Sequence, residues 1–365
     1  MILVPRRTRL LCFAWLLCFA CCAVLRAESR PVSLKRTEQR LTAPIRNLAI
    51  RLLIGELGTP RQELAVTALA WIGTPAITPL IDELSIDELS TDRAAGATEA
   101  LVRIGPPAIA PLIQAMYRLP WISGVLGQMG APAVRPLIRA FTKPYPWEVN
   151  EPCVALAAIG APAVRPLLRL LHDPRYEWEV VTALGGTKDT RAVEPLIHVL
   201  PDQERFLNGD EVSEALVSIG SPALRRVFPL LHSRNRLIRY EAWKTIHVMG
   251  DNPTLLPALL EYQHSGDATY RLAALIGLSS VASRQEWISS DTTRLTAAEL
   301  AINNQIRLGL QRGLHDPSPR VRLQALYACS DDRRFLPTLR RHLHDPNPWV
   351  RRAASANIGR DRVSR

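Results

Sequence analysis

A nine-residue phrase that occurs twice constrains the fold of this chain more than any other feature. Residues 131–139 read APAVRPLIR, and thirty positions later residues 161–169 read APAVRPLLR. Weaker echoes begin at Thr74, Pro106 and Ser221. A recurrence at intervals of about 20–50 residues is typical of solenoids and propellers. The 365 residues need not be divided into two or three globular domains, because a solenoid grows by stacking.

Each repeating unit reads as two helices with a glycine between them. Glycine tolerates the left-handed backbone that commonly closes a helix. The first helices are predicted to end at Gly73, Gly105, Gly130, Gly160, Gly185, Gly220 and Gly250. The second helices place apolar residues at i, i+3, i+4 and i+7, as in Val134, Leu137, Ile138 and Phe141. This pattern predicts an all-α chain with one buried stripe on each second helix.

A second phrase marks the later repeats. Leu-His-Asp-Pro stands at residues 171–174, 314–317 and 343–346. The last two copies continue in register as Asp-x4-Val-Arg-x2-Ala. Here the chain resembles the HEAT-like repeats best known from phycobilisome lyases, over about residues 45–365 and roughly ten units.

The resemblance implies an α-solenoid of two-helix repeats over residues 46–365, with an inserted loop near residues 283–295 in the eighth unit. It also implies a ladder between adjacent repeats, in which the aspartates and arginines of the second phrase have a structural role. The residues concerned are Asp316, Arg322, Asp345 and Arg351. The Asp-Pro pairs are predicted to cap the helices that follow them. None of this specifies a function, because functional sites are grafted onto folds.

The N-terminal 27 residues have the layout of a secretory signal peptide. Arginines at positions 6, 7 and 9 precede an uninterrupted apolar run, residues 10–25, and polar sequence resumes after it. Cleavage after Ala27 would release an exported protein that begins with a polar segment, residues 28–45. An uncleaved membrane anchor and lipidation at Cys21 remain alternatives.

The positive charge is concentrated near the C-terminus. The chain has a formal net charge of +11, and residues 306–365 hold 13 Arg against 5 Asp. Four of the six cysteines fall in the leader, and the remaining two, Cys153 and Cys329, are expected to be small buried residues rather than a disulfide.

No catalytic motif is present in the sequence. Its one CxxC spacing, Cys18 to Cys21, lies in the leader, and it contains no HExxH, His-Glu, G-x-S-x-G or P-loop pattern. The HEAT-repeat deoxyhypusine hydroxylases bind iron through His-Glu motifs, so the resemblance does not extend to their metal site. His172, His315 and His344 share one repeat position at a predicted helix end, which favours a structural role. We therefore predict no catalytic residue, no metal and no cofactor.

The candidate binding residues are arginines on the second helices and tryptophans in the turns. Trp and Arg are the residues most often found as binding hot spots. The candidates are Arg135, Arg139, Arg165, Arg169, Arg225, Trp121, Trp147, Trp178 and, in the inserted loop, Trp287. They predict an interaction scaffold that binds an acidic protein through its concave face. The alternatives are a lyase-type tetrapyrrole binder, an envelope scaffold without a discrete ligand and, least favoured, a nucleic-acid binder.

Overall fold

The computed structural model describes residues 43–85, 91–142, 151–201, 210–250, 252–284, 297–330 and 332–363. Within these ranges the chain forms α-helices, short 3-10 helices and turns, without a β-strand. The all-α prediction is therefore confirmed for the described residues. The predicted leader, Trp147 and Trp287 lie outside them.

The first of two compact units spans Met1–Pro166. Its helices are α1 (Ala43–Gly55), α2 (Gln62–Ile72), α3 (Thr74–Leu84), α4 (Thr91–Ile104), α5 (Pro106–Met116), α6 (Ile122–Met129), α7 (Ala131–Phe141), α8 (Glu151–Ile159) and most of α9 (Ala161–Leu168). Successive first helices, α2, α4, α6 and α8, pack in one row, and α1, α3, α5 and α7 pack in a second row. This two-row stacking is that of an α-solenoid.

The second unit spans Leu167–Arg365. Its helices are α10 (Glu177–Gly186), α11 (Val193–Val199), α12 (Glu211–Ile219), α13 (Ser221–Val227), α14 (Arg236–Met249), α15 (Leu256–Tyr262), α16 (Ala268–Arg284), α17 (Ala297–Leu314), α18 (Pro319–Ala328), α19 (Leu336–Arg341) and α20 (Pro348–Val363). The even-numbered helices pack successively in the first row, and each odd-numbered helix packs against the first helix of the next repeat. The twenty α-helices described form nine pairs of a first and a second helix, from α2–α3 to α18–α19, with α1 before them and α20 after them, which is close to the roughly ten units predicted.

Short 3-10 segments lie beside several second helices of the second unit, at Thr190–Ala192, Phe228–His232, Pro253–Leu255, Arg333–Phe335 and His342–His344. The predicted insertion falls between α16 and α17, the two longest helices. Its first two residues, 283 and 284, are the end of α16, and residues 285–296 lie outside the described part of the chain.

The glycines between paired helices have a backbone conformation that only glycine adopts readily. Gly130 has φ 68° and ψ −144°, and Gly220 has φ 91° and ψ −146°. These values lie near the mirror image of the β region, where a Cβ atom would clash. They differ from the left-handed helical conformation that the sequence predicted, but they explain the glycine requirement equally well.

The prediction that Gly185 and Gly250 close helices in a positive-φ conformation was wrong. Gly185 lies inside α10, and Gly250 has a right-handed φ of −60°. A Cβ atom on Gly185 would lie 2.5 Å from the Cα of Ala215, and one on Gly250 would overlap the backbone of Gly277. These two glycines are required by close helix–helix approach in the first row rather than by backbone conformation.

The predicted stripe is buried completely in α3, at Ile77, Leu80, Ile81 and Leu84, and the alanine before it, Ala76, is buried as well. In α7 the buried residues are Ala133, Val134 and Leu137, whereas Ile138 and Phe141 are only half-buried. Because Ala133 is completely buried, the neighbouring helix contacts the first turn of α7 more closely than a stripe of large side chains would allow.

Candidate functional site

Two arginines of the second unit each bind an aspartate of the following repeat. Arg271 donates hydrogen bonds from Nε and Nη2 to Asp316, at 2.7 and 3.0 Å. Arg322 donates the same pair of bonds to Asp345, at 2.8 and 2.9 Å. The Arg322 and Asp345 side chains are only 14% and 6% exposed. Such bidentate, charge-assisted pairs are stronger than exposed ion pairs.

The remaining nitrogen of each guanidinium, Nη1, donates to backbone carbonyl oxygens of its own repeat. Arg322 Nη1 donates to the carbonyl oxygens of Asp316 and Pro317, at 2.8 and 2.9 Å. The aspartates in turn accept from the backbone N–H two residues later, as Asp316 does from Ser318 at 2.7 Å. The Asp-Pro pair therefore organises the turn before the helix, and does not cap the helix directly as the sequence predicted.

These contacts shift the ionisation of the ladder carboxylate. Burial acts to raise the pKa of Asp345, but hydrogen bonds from Arg322 and from the Asn347 N–H outweigh it, and the pKa is lowered. The pKa of Arg271 is raised, chiefly by its hydrogen bonds to Asp316. The charged forms of both ladder residues are thus the favoured ones.

At each end of the ladder lies an arginine to which the described residues supply no carboxylate. Arg351 Nη1 donates to the carbonyl oxygens of Asp345 and Pro346, at 2.7 and 3.0 Å, and the described residues provide no acidic side chain for its other edge. Arg239 Nη1 likewise donates to the carbonyl oxygens of Ser233 and Arg234, at 2.5 and 3.1 Å. The described residues therefore do not supply the carboxylate partner that the repeat predicts for Arg351.

A histidine–aspartate contact stands where the ladder is interrupted. His232 Nε2 lies 2.6 Å from Asp267 Oδ2 and so links one repeat to the next. The residue that corresponds to Asp316 and Asp345 in this repeat is Ser265, whose Oγ accepts from the Asp267 N–H at 3.1 Å. Sequence reasoning missed this contact, although His232 occupies the recurrent histidine position.

Other aspartates bind an arginine within their own turn. Asp173 accepts hydrogen bonds from the N–H, Nε and Nη2 of Arg175, and Asp189 accepts the same three from Arg191. The Asp-x-Arg spacing is a signal that the sequence analysis overlooked. Asp173 follows the Leu-His phrase but binds Arg175 in its own turn, rather than an arginine of another repeat.

The histidines at the repeat ends form structural contacts. His315 Nδ1 lies 2.9 Å from the carbonyl oxygen of Gln311. His342 is buried, with Nδ1 2.9 Å from the Thr338 carbonyl oxygen and Nε2 2.7 Å from that of Leu314. Among the described residues no group of three or more His, Cys, Asp or Glu is placed to hold a metal ion.

Three of the predicted binding arginines lie in the first unit. Arg135 and Arg139 on α7 and Arg165 on α9 are exposed, and none forms an ion pair with a described residue. Trp121 immediately precedes α6 and is 51% exposed. Its Nε1 donates to the carbonyl oxygen of Leu84 at 3.1 Å, so the ring is held in place while much of it faces solvent.

The other candidates lie in the second unit, in different surroundings. Arg169 is exposed, but Arg225 lies 3.9 Å from Glu261 and its neighbour Arg226 pairs with Glu194. Trp178 is a half-buried residue of α10, not a turn residue as predicted, because α10 begins at Glu177. The second helices of this unit thus carry mixed charge rather than arginine alone.

The described thiols and helices add two observations. Cys153 and Cys329 are both buried and form no disulfide, and burial raises the pKa of the Cys329 thiol. Such buried thiols are poor nucleophiles.

None of the helices in the described ranges combines the length and the apolar character that a membrane span requires.

Comparison with known proteins supports the repeat architecture. Residues 335–360, which contain α19 and much of α20, match the family model described as HEAT repeat. This segment contains Asp345, which accepts hydrogen bonds from Arg322 on the preceding helix α18, and Arg351, which binds the turn carbonyl oxygens. The chain therefore has a HEAT-like repeat fold. No curated protein matches it.

Three solved structures have similar helical arrangements at low identity. Human deoxyhypusine hydroxylase in complex with glycerol is 19% identical, covering 78% of this chain and 95% of its own, with a TM-score of 0.25. A tumor overexpressed gene (TOG) domain array of a microtubule polymerase, which recruits tubulin, is 11% identical (88% and 99%; TM-score 0.32). A Kap121p mutant is 13% identical (92% and 47%; TM-score 0.24). At these TM-scores the three structures do not inform on the function of this chain.

Proposed function

We propose that this chain is a non-enzymatic scaffold that binds an acidic protein partner through exposed arginines of its second helices. The supporting observation is that three arginines are exposed and have no carboxylate partner among the described residues: Arg135, Arg139 and Arg165. We call these three residues the second-helix surface. The ladder arginines, in contrast, are part-buried and hydrogen-bonded to carboxylates and backbone.

The repeat itself does not require arginine at these positions. The residues that correspond to Arg135 on the helices α3, α5 and α11 are Thr78, Ala110 and Glu194. The fold therefore accepts a small, polar or acidic residue there, and a structural explanation for the arginines is weak. Exposed guanidinium groups bind carboxylates in a bidentate manner, which favours an acidic partner.

The exposed ring of Trp121 offers an apolar contact in the same unit. Tryptophan and arginine dominate the energetics of many protein interfaces. Because its Nε1 is already bound to the Leu84 carbonyl oxygen, the Trp121 side chain loses little conformational freedom when a partner binds. Trp147 and Trp287 remain candidate contacts in segments outside the described residues.

Co-purification with charge-reversed protein tests the proposal. Proteins that bind the wild-type chain should be identified, purified and measured against the double variant Arg135→Glu/Arg165→Glu. We expect the double variant to lose at least about tenfold in affinity, since each reversed charge replaces an attractive contact with a repulsive one. Wild-type binding should weaken as salt is added.

The matched control is Arg320→Glu/Arg352→Glu, which reverses two exposed arginines on first-row helices. It changes the net charge equally but leaves the second-helix surface intact. The proposal requires the control to bind as the wild type does. If both double variants lose affinity equally, the interaction depends on net charge, and a folded Arg135→Glu/Arg165→Glu protein that binds normally places the site elsewhere.

We further propose that the scaffold acts after export, which the layout of residues 1–27 supports. N-terminal sequencing of protein recovered from the producing cell should then find a chain that begins near Glu28. Recovery of a chain that still begins at Met1 would indicate an uncleaved anchor or a protein that is not exported.

A further inference from the structure

Where the ladder is interrupted, the Nε–Nη2 edge of the Arg239 guanidinium has no partner among the residues that the structure describes. In the next repeats the Nε–Nη2 edge of Arg271 and of Arg322 binds an aspartate. Arg239 has the same Nη1 contacts to its own turn, which orient the guanidinium in the same way. The residue at the aspartate position of the next repeat is Ser265, and a serine hydroxyl does not replace a carboxylate as a bidentate acceptor.

The nearby acidic group is already engaged. Asp267 Oδ2 lies 2.6 Å from His232 Nε2, and Asp267 Oδ1 accepts from the Thr269 N–H at 2.7 Å. Asp267 forms no ion pair with Arg239, although Asp267 follows the position of Ser265 by only two residues. The described residues therefore supply no carboxylate to Arg239.

The residues around Arg239 present positive charge together with apolar surface. Arg234 and Arg236 are exposed and form no ion pair within the described chain. Leu237 and Tyr240 are exposed large side chains, and Tyr240 is 59% exposed. On a helix, residues three and four positions apart are neighbours, so the exposed Tyr240 lies beside both Leu237 and Arg236 on α14.

We infer that residues 234–240 and Ser265 form a docking site for an acidic segment of a protein partner, with one carboxylate bound by the Nε–Nη2 edge of Arg239. The chemistry is that of the Arg271–Asp316 and Arg322–Asp345 pairs, except that the carboxylate comes from another chain. Leu237 and Tyr240 provide contact for an apolar residue next to that carboxylate. We call this set of residues the α14 site. It lies in the second unit and does not depend on the second-helix surface.

The most direct test introduces a carboxylate of the chain itself next to Arg239. The Ser265→Asp variant would place a carboxylate at the ladder position and so compete with an external one for Arg239. Ser233→Asp is the matched control, because it adds the same charge at the equivalent turn, but Gly209 stands at the position of Arg239 in the preceding repeat when Gly220 is aligned with Gly250. Ser233 and Ser265 both accept the backbone N–H two residues later.

The probe is a capped, dye-labelled peptide of ten glutamates, measured by fluorescence anisotropy on the full chain. The chain also carries Arg135→Glu/Arg165→Glu, so that the second-helix surface does not contribute. We expect Ser265→Asp and Arg239→Gln each to weaken binding by about tenfold, and Ser233→Asp to change it by less than about twofold. Circular dichroism and thermal melts establish that each variant is folded.

Equal weakening by Ser265→Asp and Ser233→Asp would overturn the inference, because general charge repulsion would explain it. Unchanged binding by folded Ser265→Asp would overturn it as well. Acetate and inorganic phosphate at equal ionic strength distinguish the class of anion. Displacement of the peptide by phosphate but not by acetate would assign the site to a phosphate group rather than to a carboxylate. Neither result bears on the second-helix surface, because two of its three arginines are reversed to glutamate in every protein measured.

Discussion

Two glycines of α6 differ in what faces them. A Cβ atom on Gly127 would lie 2.5 Å from the Cβ of Ala158 on the neighbouring first helix, whereas one on Gly124 would meet nothing within 4 Å. We expect Gly127→Ala to destabilise the fold by about 1–3 kcal/mol through overpacking. Gly124→Ala should stabilise it by about 0.5–1 kcal/mol, since alanine is the better helix former.

Urea unfolding of the two alanine variants checks this prediction within a single helix. Opposite signs of the change in unfolding free energy would confirm that the first row depends on a small residue at position 127. A neutral or stabilising Gly127→Ala would show that α6 and α8 can move apart at no cost.

The lowered pKa of Asp345 predicts a pH dependence of stability. The pKa of an aspartate in the unfolded chain is about 3.9. Because the folded pKa is lower, the contribution of the Asp345 carboxylate is present above about pH 4 and is lost as the pH falls through the folded pKa. The difference in unfolding free energy between wild type and Asp345→Asn should therefore shrink from about pH 7 to about pH 3. A difference in unfolding free energy that does not change with pH would mean that the charge of the Asp345 carboxylate does not stabilise the contact with Arg322.

At the scale of the helical elements, the two kinds of ladder arginine predict different losses. Arg322 binds Asp345 and two backbone carbonyl oxygens, whereas Arg351 binds carbonyl oxygens alone. Arg322→Ala should cost about 3–5 kcal/mol, since it leaves a buried carboxylate without its arginine. Arg351→Ala should cost about 1–3 kcal/mol. Thermal melts of the two variants give the order, and equal losses would show that the inter-repeat pair adds nothing.

The same reasoning predicts that a further arginine–aspartate pair can be added to the ladder, between Arg239 and an aspartate at position 265. Ser265→Asp retains an acceptor for the Asp267 N–H and supplies Arg239 with the carboxylate that Arg271 and Arg322 already have. We expect it to stabilise the fold by about 1–3 kcal/mol. Ser233→Asp should change stability by less than about 0.5 kcal/mol, as surface substitutions generally do. A destabilised Ser265→Asp would show that repulsion from Asp267 exceeds the attraction of Arg239.

For the whole molecule, stacking predicts that damage stays local. In a solenoid each repeat contacts only its neighbours, so stability propagates through nearest-neighbour interfaces. Hydrogen exchange of Arg322→Ala should increase in helices α16–α20 and remain unchanged in α2–α7. A uniform increase throughout the chain would indicate that it unfolds as one cooperative body.

The resemblance to HEAT-like repeats correctly predicted part of the ladder. A motif repeated in register places equivalent residues at equivalent points of successive repeats. Arg322 binds Asp345 as that register requires, whereas the described part of the chain supplies no carboxylate to Arg351. The arginines and tryptophans proposed to bind a partner remain predictions, and Trp147 and Trp287 lie outside the described residues. Surface positions carry no periodic signal of their own, since the repeat accepts several residue types there.

The sequence by itself determined the class of fold and the two-helix unit, because helical periodicity, glycine and proline act over a few neighbouring residues. Only the tertiary structure decided what individual residues do across repeats. It placed Gly185 against Ala215 and paired His232 with Asp267. These contacts join residues about thirty positions apart, and stacking must set their register before any of them can form.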